Sequence, residues 1–534
     1  ETGLHMYRRY AEGFSVGYKE RFNVQIAMSD LERIERVIKT GEAAVNLYQP
    51  IESEEHQLRF KIYNYGGAMI LSEIMPMLEN MGVKVLEEAP FDVHPVDTDS
   101  HIVIHDSQDE HANKQPVTWQ AVREAFHAGL KRGWVGEVEN DGFNRLILSA
   151  GLEWRDVVVL RAYSKYLRQA AIPFSQDYME ETLARNADLA ADIAKLFRVR
   201  FDPEAQDESG KREDGLINVI NIKLDMVENL DEDRILRRFL NIIQATLRTN
   251  FYQLDGDDSY KHYVAFKFAS RQIEEIPQPA PLREIFVYSP RFEAVHLRFG
   301  MVARGGLRWS DRREDFRTEV LGLVKAQQVK NAVIVPVGSK GGFVLKKAPP
   351  PSNREAFLKE GIACYQTFIQ GMLDITDNLV GDKVAPPKQV VRKDSDDPYL
   401  VVAADKGTAT FSDFANEISI RNNFWLGDAF ASGGSAGYDH KKMGITARGA
   451  WESVKRHFRE MGHNTQTQPF TVIGVGDMGG DVFGNGMLLS EQIKLTAAFN
   501  HLHIFIDPDP DPASGFAERK RLFEEVKGWD QYES

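Results

Sequence analysis

The sequence predicts a multidomain protein of α/β class. Its 534 residues are enough for roughly three or four domains of typical size. Strand and helix patterns alternate in residues 58–106, 263–345 and 470–507, whereas residues 118–249 carry mainly helical periodicity. Sheets covered by helices produce such alternation. We therefore expect a small α/β module, a helical region and two further α/β domains, in that order.

Composition and charge exclude several classes of partner. The formal net charge of -14 argues against binding to nucleic acid or to an anionic membrane surface. No apolar run approaches the ~18 residues that span a bilayer, and we expect no signal peptide. The single cysteine, Cys364, rules out an internal disulfide and a multi-cysteine metal site, and its apolar helical surroundings predict a core position. We expect a cytoplasmic protein without a bound metal.

Residues 58–106 carry a βαββ pattern. LRFKIYNYG alternates as a strand, and Ile70–Met81 is an amphipathic helical pattern that stops at Gly82. VKVLEEAPFDV and HIVIHD supply two more strands. A mainly helical region follows, in which Tyr163 and Tyr166 have the spacing of core residues, so we assign no site there.

The stretch Met301–Leu345 combines cations with glycine pairs. Arg304 precedes Gly305 and Gly306, and Lys340 precedes another Gly-Gly. Glycine pairs let a backbone come close to a ligand, because no Cβ stands in the way. A cation beside each pair therefore marks a candidate anion-binding position.

Between the glycine pairs the pattern predicts a helix and then a strand. Apolar residues recur at helical spacing up to Lys330, and Ala332–Val337 is an apolar run typical of a strand buried on both faces. Cations at these three places suggest a pocket for an anion with more than one carboxylate. The alternative is that Lys330 only complements a helix C-terminus and that Arg304 and Arg308 are solvated charges. For Lys340, after a buried strand and before Gly-Gly, we favour function.

A carboxylate follows a later strand directly. In YLVVAADKGTATFSD, Asp405 comes after the strand Tyr399–Ala404. Open α/β sheets bind ligands at the carboxyl ends of their strands. The alternative is a helix-capping aspartate or an ion pair with Lys406.

The last part of the chain carries a dinucleotide fingerprint. Phe470–Ile473 is a strand, and Gly474, Gly476 and Gly479 form G-x-G-x-x-G. HLHIFID predicts a second strand that ends at Asp507, whose carboxylate would bond ribose hydroxyls and so favour NAD over NADP.

Two details of this region depart from the usual fingerprint, and one predicts the start of a further helix. Asp507 lies 28 residues after Gly479 (507 − 479), more than the ~20 typical of the fingerprint. Asp477 puts an acid into the phosphate loop, where repulsion is expected unless it points away. Upstream, GITARG opens a helix with Thr446 as a good N-cap residue.

Three longer motifs stand out, namely RGGLRWSDR, KAQQVKNAVIVPVGSKGGF and YLVVAADKGTATFSD. They resemble the large-subunit class of NAD-specific glutamate dehydrogenases, and the resemblance extends over nearly the whole chain. The resemblance implies oxidative deamination of L-glutamate to 2-oxoglutarate and ammonia, with NAD as cofactor and a homo-oligomeric enzyme. The βαββ module is similar to ACT-type ferredoxin-like regulatory modules. Effector binding and a packing or oligomerisation role stay equally open for it.

The resemblance also implies roles for individual residues. Lys340 activates the attacking water and stabilises the carbinolamine, a task that needs an amine partly deprotonated near neutral pH. Asp405 moves protons to and from the substrate nitrogen. Lys330 binds the α-carboxylate and Arg304 the distal one, although small-subunit relatives have lysine at the latter position.

The glycines and the helix start complete the expected site. Gly305 and Gly306 line the substrate, and Thr446 lies near the nicotinamide carboxamide. Lys340 and Asp405 should reach one substrate nitrogen, in a cleft between the last two domains.

The expected domains are a helical segment (1–57), an ACT-like module (58–117), a mainly helical region (118–275), an α/β substrate domain (276–443) and a partial Rossmann domain (444–534).

Two other functions stay open. A dehydrogenase of the same superfamily acting on an apolar amino acid would leave Arg304 without a substrate carboxylate, which disfavours it. Both chain ends look truncated, so this piece could also be a non-catalytic regulatory or assembly fragment, inactive alone because its nucleotide domain is incomplete.

Overall fold

The computed structural model describes residues 2–50, 53–66, 71–206, 210–330, 336–437 and 440–533. It divides into two compact units, Glu1–Phe430 and Ala431–Ser534. The predicted multidomain α/β class is confirmed, while the predicted domain limits stay predictions. Within the described residues, no helix combines the length and apolarity that crossing a membrane requires.

The chain begins with three helices whose ends are set by side-chain caps. Ser15 and Asn23 accept hydrogen bonds from the first turns of α2 and α3, and α3 ends at Gly41 with φ +70. The elements are α1 (Thr2–Tyr10), α2 (Val16–Arg21) and α3 (Val24–Thr40).

A four-stranded antiparallel sheet follows, in the order β1-β2-β4-β3. The predicted βαββ pattern is present, with α4 crossing between β2 and β3 while β4 lies between them. Edge strand β1 was not predicted and lies in the segment expected to be helical. The start of the predicted helix, Ile70, lies outside the described residues. The elements are β1 (Ala44–Tyr48), β2 (Gln57–Tyr65), α4 (Leu71–Asn80), β3 (Val83–Val93) and β4 (Ile102–His111).

Seven helices follow. Their buried side chains share one hydrophobic core with the sheet that precedes them in the chain and with the sheet that comes after them. Tyr163 and Tyr166 are fully buried in this core, as predicted, and the Tyr166 hydroxyl donates to Glu284 at 2.8 Å. The helices are α5 (Trp119–Trp134), α6 (Leu146–Ser149), α7 (Trp154–Gln169), α8 (Gln176–Arg185), α9 (Ala187–Phe201), α10 (Lys211–Leu224) and α11 (Leu230–Ala245).

The central sheet of the first unit has the strand order β13-β9-β10-β8-β7-β6-β5. Strands β5 to β8 are antiparallel neighbours, and β10 joins β8 antiparallel but β9 parallel. Strand β13 is also parallel to β9. The strands are β5 (Thr246–Thr249), β6 (Val264–Phe268), β7 (Arg283–Tyr288), β8 (Phe292–Arg298), β9 (Ala303–Trp309), β10 (Val337–Leu345) and β13 (Val401–Ala404). A separate antiparallel pair is formed by β11 (Asn378–Val380) and β12 (Lys383–Ala385).

Three helices belong to this sheet. Helix α12 connects the parallel strands β9 and β10, and Cys364 on α13 is fully buried, as predicted. The helices are α12 (Phe316–Lys330), α13 (Arg354–Asp374) and α14 (Ser412–Arg421).

The second unit is a small α/β body with its own core, which includes Trp451, Met478 and Leu522. Its sheet has the order β15-β16-β17, in which β15 and β16 are parallel and β17 is antiparallel to β16. The elements are β14 (Ala431–Ser432), α15 (His440–Met443), α16 (Ile445–Glu460), β15 (Phe470–Val475), α17 (Asp481–Gly486), β16 (Ile493–Phe499), β17 (Ile504–Ile506) and α18 (Pro512–Glu524).

Candidate active site

The three parallel strands of the first unit bring the predicted catalytic residues together. The register pairs Gly306 of β9 with Ala403 of β13, and its constant offset to β10 sets Lys340 beside Gly306. Asp405 follows β13 directly, as the sequence predicted. Lys340 Nζ lies 2.7 Å from Asp405 Oδ2, which is a salt bridge across the intervening strand.

The strand that carries Lys340 differs from the predicted one. Lys340 was expected to follow a buried strand, but it lies inside β10, which begins at Val337. Residues 332–335 of the predicted strand Ala332–Val337 lie outside the described residues. The Gly-Gly pair lies within β10, where both neighbouring strands and α12 come close to the backbone. A Cβ at Gly342, for example, would stand 2.8 Å from Val320 Cγ2 of α12.

Gly306 makes the contact between the flanking strands possible. A Cβ at Gly306 would stand 2.6 Å from the carbonyl oxygen of Ala404 and 3.1 Å from Asp405 Cβ. Any side chain would therefore push against the residue that pairs with Lys340. Gly305 is constrained in the same way, since its Cβ would overlap the Ser339 carbonyl oxygen. Packing within the chain explains both glycines, and their contact with substrate stays a prediction.

Arg308 was not among the predicted site residues, yet it completes the charge cluster. Its Nε lies 3.2 Å from Asp405 Oδ2 and its Nη1 lies 2.8 Å from Glu319 Oε1 on α12. Glu319 also accepts a hydrogen bond of 2.6 Å from the Ser310 hydroxyl. Arg308 stands two residues after Gly306, on the same face of β9, and this spacing is the sequence signal that could have identified it.

The carboxylate of Asp405 is fixed by its neighbours and stays charged. Burial alone would raise the pKa of Asp405, but hydrogen bonds from Lys340 and Arg308 outweigh it and hold the pKa below its ordinary value. Its backbone N–H donates to Thr408 Oγ1 at 3.0 Å, and that hydroxyl donates to the Leu307 carbonyl at 2.6 Å. An ionised carboxylate beside a lysine can exchange protons with a nitrogen placed between them.

The two cations predicted to hold the substrate carboxylates lie farther along the same elements. Arg304 is exposed on β9, on the face that carries Gly306 and Arg308. Lys330 is the exposed last residue of α12, next to residues outside the described ranges. Their roles toward a substrate stay predictions.

Gln327 on α12 was not predicted and adds a polar atom to this region. Its Oε1 is buried and has no hydrogen-bond partner in the described part of the chain. It lies against β10, because a Cβ at Gly338 would stand 3.0 Å from Oε1. Buried acceptors are normally satisfied, so this unpaired oxygen is an exception in the packing of α12 on the sheet.

The glycine loop of the second unit fits a dinucleotide in part. Gly476 has φ +136, a conformation that side chains rarely adopt, and a Cβ there would stand 2.7 Å from Phe483 Cβ. Gly474 also packs against Phe483, and the Trp529 indole donates to the Gly476 carbonyl at 2.7 Å. These contacts hold the backbone of the loop between β15 and α17 in one conformation.

Asp477 inside the loop points to a neighbouring strand end. Its Oδ2 accepts a hydrogen bond of 2.6 Å from Asn500 Nδ2, which follows β16. This hydrogen bond occupies one carboxylate oxygen of Asp477, the acid whose position in a phosphate loop is unusual.

HLHIFID contains a strand that ends just before Asp507, β17, but this strand is not the parallel neighbour of β15 that a dinucleotide fold requires. The parallel partner of β15 is β16, and β17 folds back antiparallel, so that the Asp507 N–H donates to the Thr496 carbonyl at 3.0 Å. Asp507 therefore lies beside the middle of β16 and not at the carboxyl edge of the sheet, where the fingerprint needs it. This removes the topological basis of its ribose-binding role. In the sequence, the long spacing between Gly479 and Asp507 already departs from the dinucleotide fingerprint.

Thr446 is not the N-cap of its helix. Gly444, with φ +61, is the cap of α16, and Thr446 is an exposed residue of the first turn. Its placement near a nicotinamide stays a prediction.

Four family models match most of the chain. Residues 219–534 match the catalytic domain of bacterial NAD-glutamate dehydrogenase. Residues 1–37, 42–121 and 138–203 match helical motif 2, the ACT3 domain and helical motif 3 of glutamate dehydrogenase.

Individual relatives are similar over nearly the whole chain. The NAD-specific glutamate dehydrogenases of Halomonas elongata and Pseudomonas aeruginosa are 54% and 52% identical over 100% of this chain. That of Mycobacterium tuberculosis is 50% identical over 98% of it. This chain spans 33% of the length of each of these relatives.

Proposed function

The chain belongs to the family of bacterial NAD-glutamate dehydrogenases, and from this premise we propose that it carries the chemistry of NAD-dependent oxidation of L-glutamate to 2-oxoglutarate and ammonia. The observation that carries the proposal is the 2.7 Å salt bridge between Lys340 and Asp405 across Gly306. A lysine and a carboxylate held at this distance on a rigid sheet supply the acid–base pair that the reaction needs.

In the proposed reaction Asp405 and Lys340 divide the proton transfers. Asp405 takes a proton from the α-ammonium group of glutamate, so that the nitrogen lone pair can drive loss of hydride from Cα. Lys340, once deprotonated, accepts a proton from the water that attacks the resulting iminium carbon. Asp405 then returns its proton to the nitrogen, the C–N bond breaks as the carbinolamine hydroxyl loses its proton to the departing ammonia, and 2-oxoglutarate and ammonium are released.

Two further residues support substrate binding in this proposal. Arg304 and Lys330 would hold the two carboxylates, because each is an exposed cation on an element of the site. A substrate with an apolar side chain would leave Arg304 without a carboxylate, so glutamate is favoured.

The glycine loop would hold NAD, which supplies the hydride acceptor when bound. Gly474, Gly476 and Gly479 would border the pyrophosphate, and the left-handed φ of Gly476 supports this assignment. Asp507 is not part of the proposal, because β17 carries it away from the carboxyl edge. We extend the proposal to a homo-oligomer in the cytoplasm, supported by the family and by the single buried cysteine.

The test is NADH formation from NAD and L-glutamate by the parent chain, by Lys340→Ala and by the control Lys359→Ala. Lys359 is an exposed lysine of α13. We expect Lys340→Ala to lower kcat at least about 100-fold, the usual weight of an acid–base group, and Lys359→Ala to leave it unchanged.

Other outcomes separate the alternatives. A Lys340→Ala chain with the parent's rate contradicts the assigned role, and turnover of L-leucine in place of L-glutamate favours the apolar amino-acid dehydrogenase. If the parent chain shows no turnover, calorimetry with glutarate decides. If glutarate binds to the parent chain but not to Arg304→Ala, the result supports a substrate-binding piece of the enzyme. If glutarate does not bind to the parent chain, the assembly fragment is favoured.

A further inference from the structure

A large cavity lies in the first unit among α3, β1 and α5, far along the chain from the residues of the proposed active site. Its volume is about 810 Å³, within the range of small-molecule sites. Part of its wall is apolar, formed by residues from β1, β2 and α5 and the residue after α5. These are Val45, Ile62, Leu130, Trp134 and Val135.

Two guanidinium groups of the cavity wall, those of Arg33 and Arg123, converge on one neutral oxygen beside it. Nη2 of Arg33 on α3 and Nη2 of Arg123 on α5 lie 3.1 and 3.4 Å from Oδ1 of Asn46, which is buried on β1. An amide oxygen carries no charge, so the repulsion between the two cations is not balanced at the point where they meet. Carboxylates and phosphates are the usual partners of paired arginines.

The chain itself neutralises this pair only in part, through one long ion pair between Arg123 and the exposed Glu124. Within the described residues Arg33 forms no ion pair, and its Nη1 donates to the backbone carbonyl and hydroxyl of Ser29. The Nε of Arg123 is buried without a hydrogen-bond partner and lies 4.0 Å from Oε1 of the exposed Glu124, beyond hydrogen-bond distance. A buried donor without an acceptor costs free energy that a bound anion would recover.

The remaining charged groups near the cavity are accounted for. Lys131 pairs with Glu42 at 2.9 Å, and Glu32 and Arg36 are exposed. His127 accepts a hydrogen bond of 2.8 Å from the Leu47 N–H. Burial, and next the charges of Arg123 and Arg33, lower the pKa of His127 to about 4, so the ring is neutral near pH 7. The uncompensated positive charge at the cavity wall is therefore that of Arg33 and Arg123.

We propose that this cavity is a binding site for a small organic carboxylate with an apolar body, whose carboxylate replaces the shared interaction of Arg33 and Arg123 with Asn46. The apolar wall would cover the body of the ligand, and the two guanidinium groups would bind its head. This site is independent of the proposed glutamate chemistry, since it uses none of its residues.

The test is equilibrium dialysis of the 534-residue chain with 2-naphthoate and with its uncharged counterpart, 2-naphthamide. We expect one 2-naphthoate per chain with saturable binding, and binding of 2-naphthamide at least about tenfold weaker. Loss of a charge-assisted pair is worth about one order of magnitude in Kd. Absence of saturable 2-naphthoate binding, or equal binding of the two compounds, would overturn the proposal.

Two variants locate the site. The double variant Arg33→Gln, Arg123→Gln should weaken 2-naphthoate binding at least about tenfold, whereas Arg456→Gln, an exposed arginine of α16, should leave it unchanged. Ala128→Trp fills the cavity from α5 and should weaken binding of both compounds, without any change of charge. Parent-like 2-naphthoate binding by a folded double variant or by Ala128→Trp would contradict the assigned cavity.

Discussion

At the residue scale, the salt bridge between Lys340 and Asp405 spans a strand that has a glycine at the crossing point. Lys340 lies on β10, Asp405 follows β13, and Gly306 of β9 lies between them. The second cation on Asp405, Arg308, is itself tied to Glu319 on α12. A charge cluster held from three strands and a helix loses little conformational entropy when a substrate binds, which favours catalysis.

We expect Gly306→Ala to destabilise the first unit by about 1–3 kcal/mol, because overpacking forces rigid backbone to move. The new Cβ would meet the Ala404 carbonyl oxygen and Asp405 Cβ. Urea unfolding measures the change. The control is Gly322→Ala on α12, where, among the described residues, no atom beyond the helix's own backbone lies within 4 Å of the new Cβ. This substitution should stabilise by up to about 1 kcal/mol. Similar effects of both substitutions would contradict the crowding at Gly306.

A pH-dependent contribution to stability follows from Asp405. Its pKa is lowered in the folded protein, so its salt bridge contributes stability that is fully present above the unfolded pKa, near 3.8, and is lost as pH falls toward the lower folded value. We expect Asp405→Asn to lower the urea midpoint at pH 7 and to lower it less below about pH 4.

The matched control for this pH dependence is Asp382→Asn, at an exposed aspartate in the turn between β11 and β12. Its urea midpoint should follow that of the parent chain at both pH values. A difference between Asp405→Asn and the parent that does not shrink in acid would contradict the lowered pKa.

At the element scale, the glycine loop of the second unit is held by a short 3-10 helix, Trp529–Gln531. The Trp529 indole donates to the Gly476 carbonyl, and its ring stacks on Phe505 of β17 at 4.9 Å between ring centroids. The conformation of the loop therefore depends on a contact that is more than 50 residues distant in sequence.

We expect Trp529→Phe to weaken this loop while it retains most of the ring packing. Loss of one hydrogen bond should cost about 0.5–1.5 kcal/mol and increase amide hydrogen exchange in residues 474–486. The control is Trp425→Phe, which removes the indole bond of 2.8 Å to the Pro398 carbonyl in the first unit. Unchanged exchange in the loop of Trp529→Phe would show that the bond does not hold it.

At the scale of the whole molecule, the chain consists of two compact units with separate hydrophobic cores. The first unit contains the central sheet and the proposed acid–base pair, and the second contains the glycine loop. Because neighbouring contacts inside each unit set its stability, each core should respond to its own substitutions.

We expect Trp451→Ala, in the core of the second unit, to destabilise that unit by about 3–5 kcal/mol and leave the first unit unchanged. Trp451 is 8% exposed. Hydrogen exchange should rise in β15 (470–475) but not in β6 (264–268). An equal rise in both strands would show that the units unfold as one.

The sequence by itself determined the family, through long motifs that resemble it. Local patterns, a cation beside a glycine pair at Lys340 and a carboxylate directly after a strand at Asp405, singled out the two residues of the proposed acid–base pair, and the resemblance supplied their roles. Strand and helix periodicity is also local, which is why the α/β class was predictable.

Only the tertiary structure decided the pairing and direction of the strands. Whether Asp507 ends a parallel or an antiparallel strand depends on hydrogen bonds between segments, and the alternation of side chains is the same in both cases. The placement of Arg308 on Asp405 and the convergence of Arg33 and Arg123 on Asn46 likewise join distant parts of the chain. Such contacts arise from packing: the spacing from Gly306 gives the face of β9 on which Arg308 lies, but no local sequence pattern gives the partner of any of these arginines.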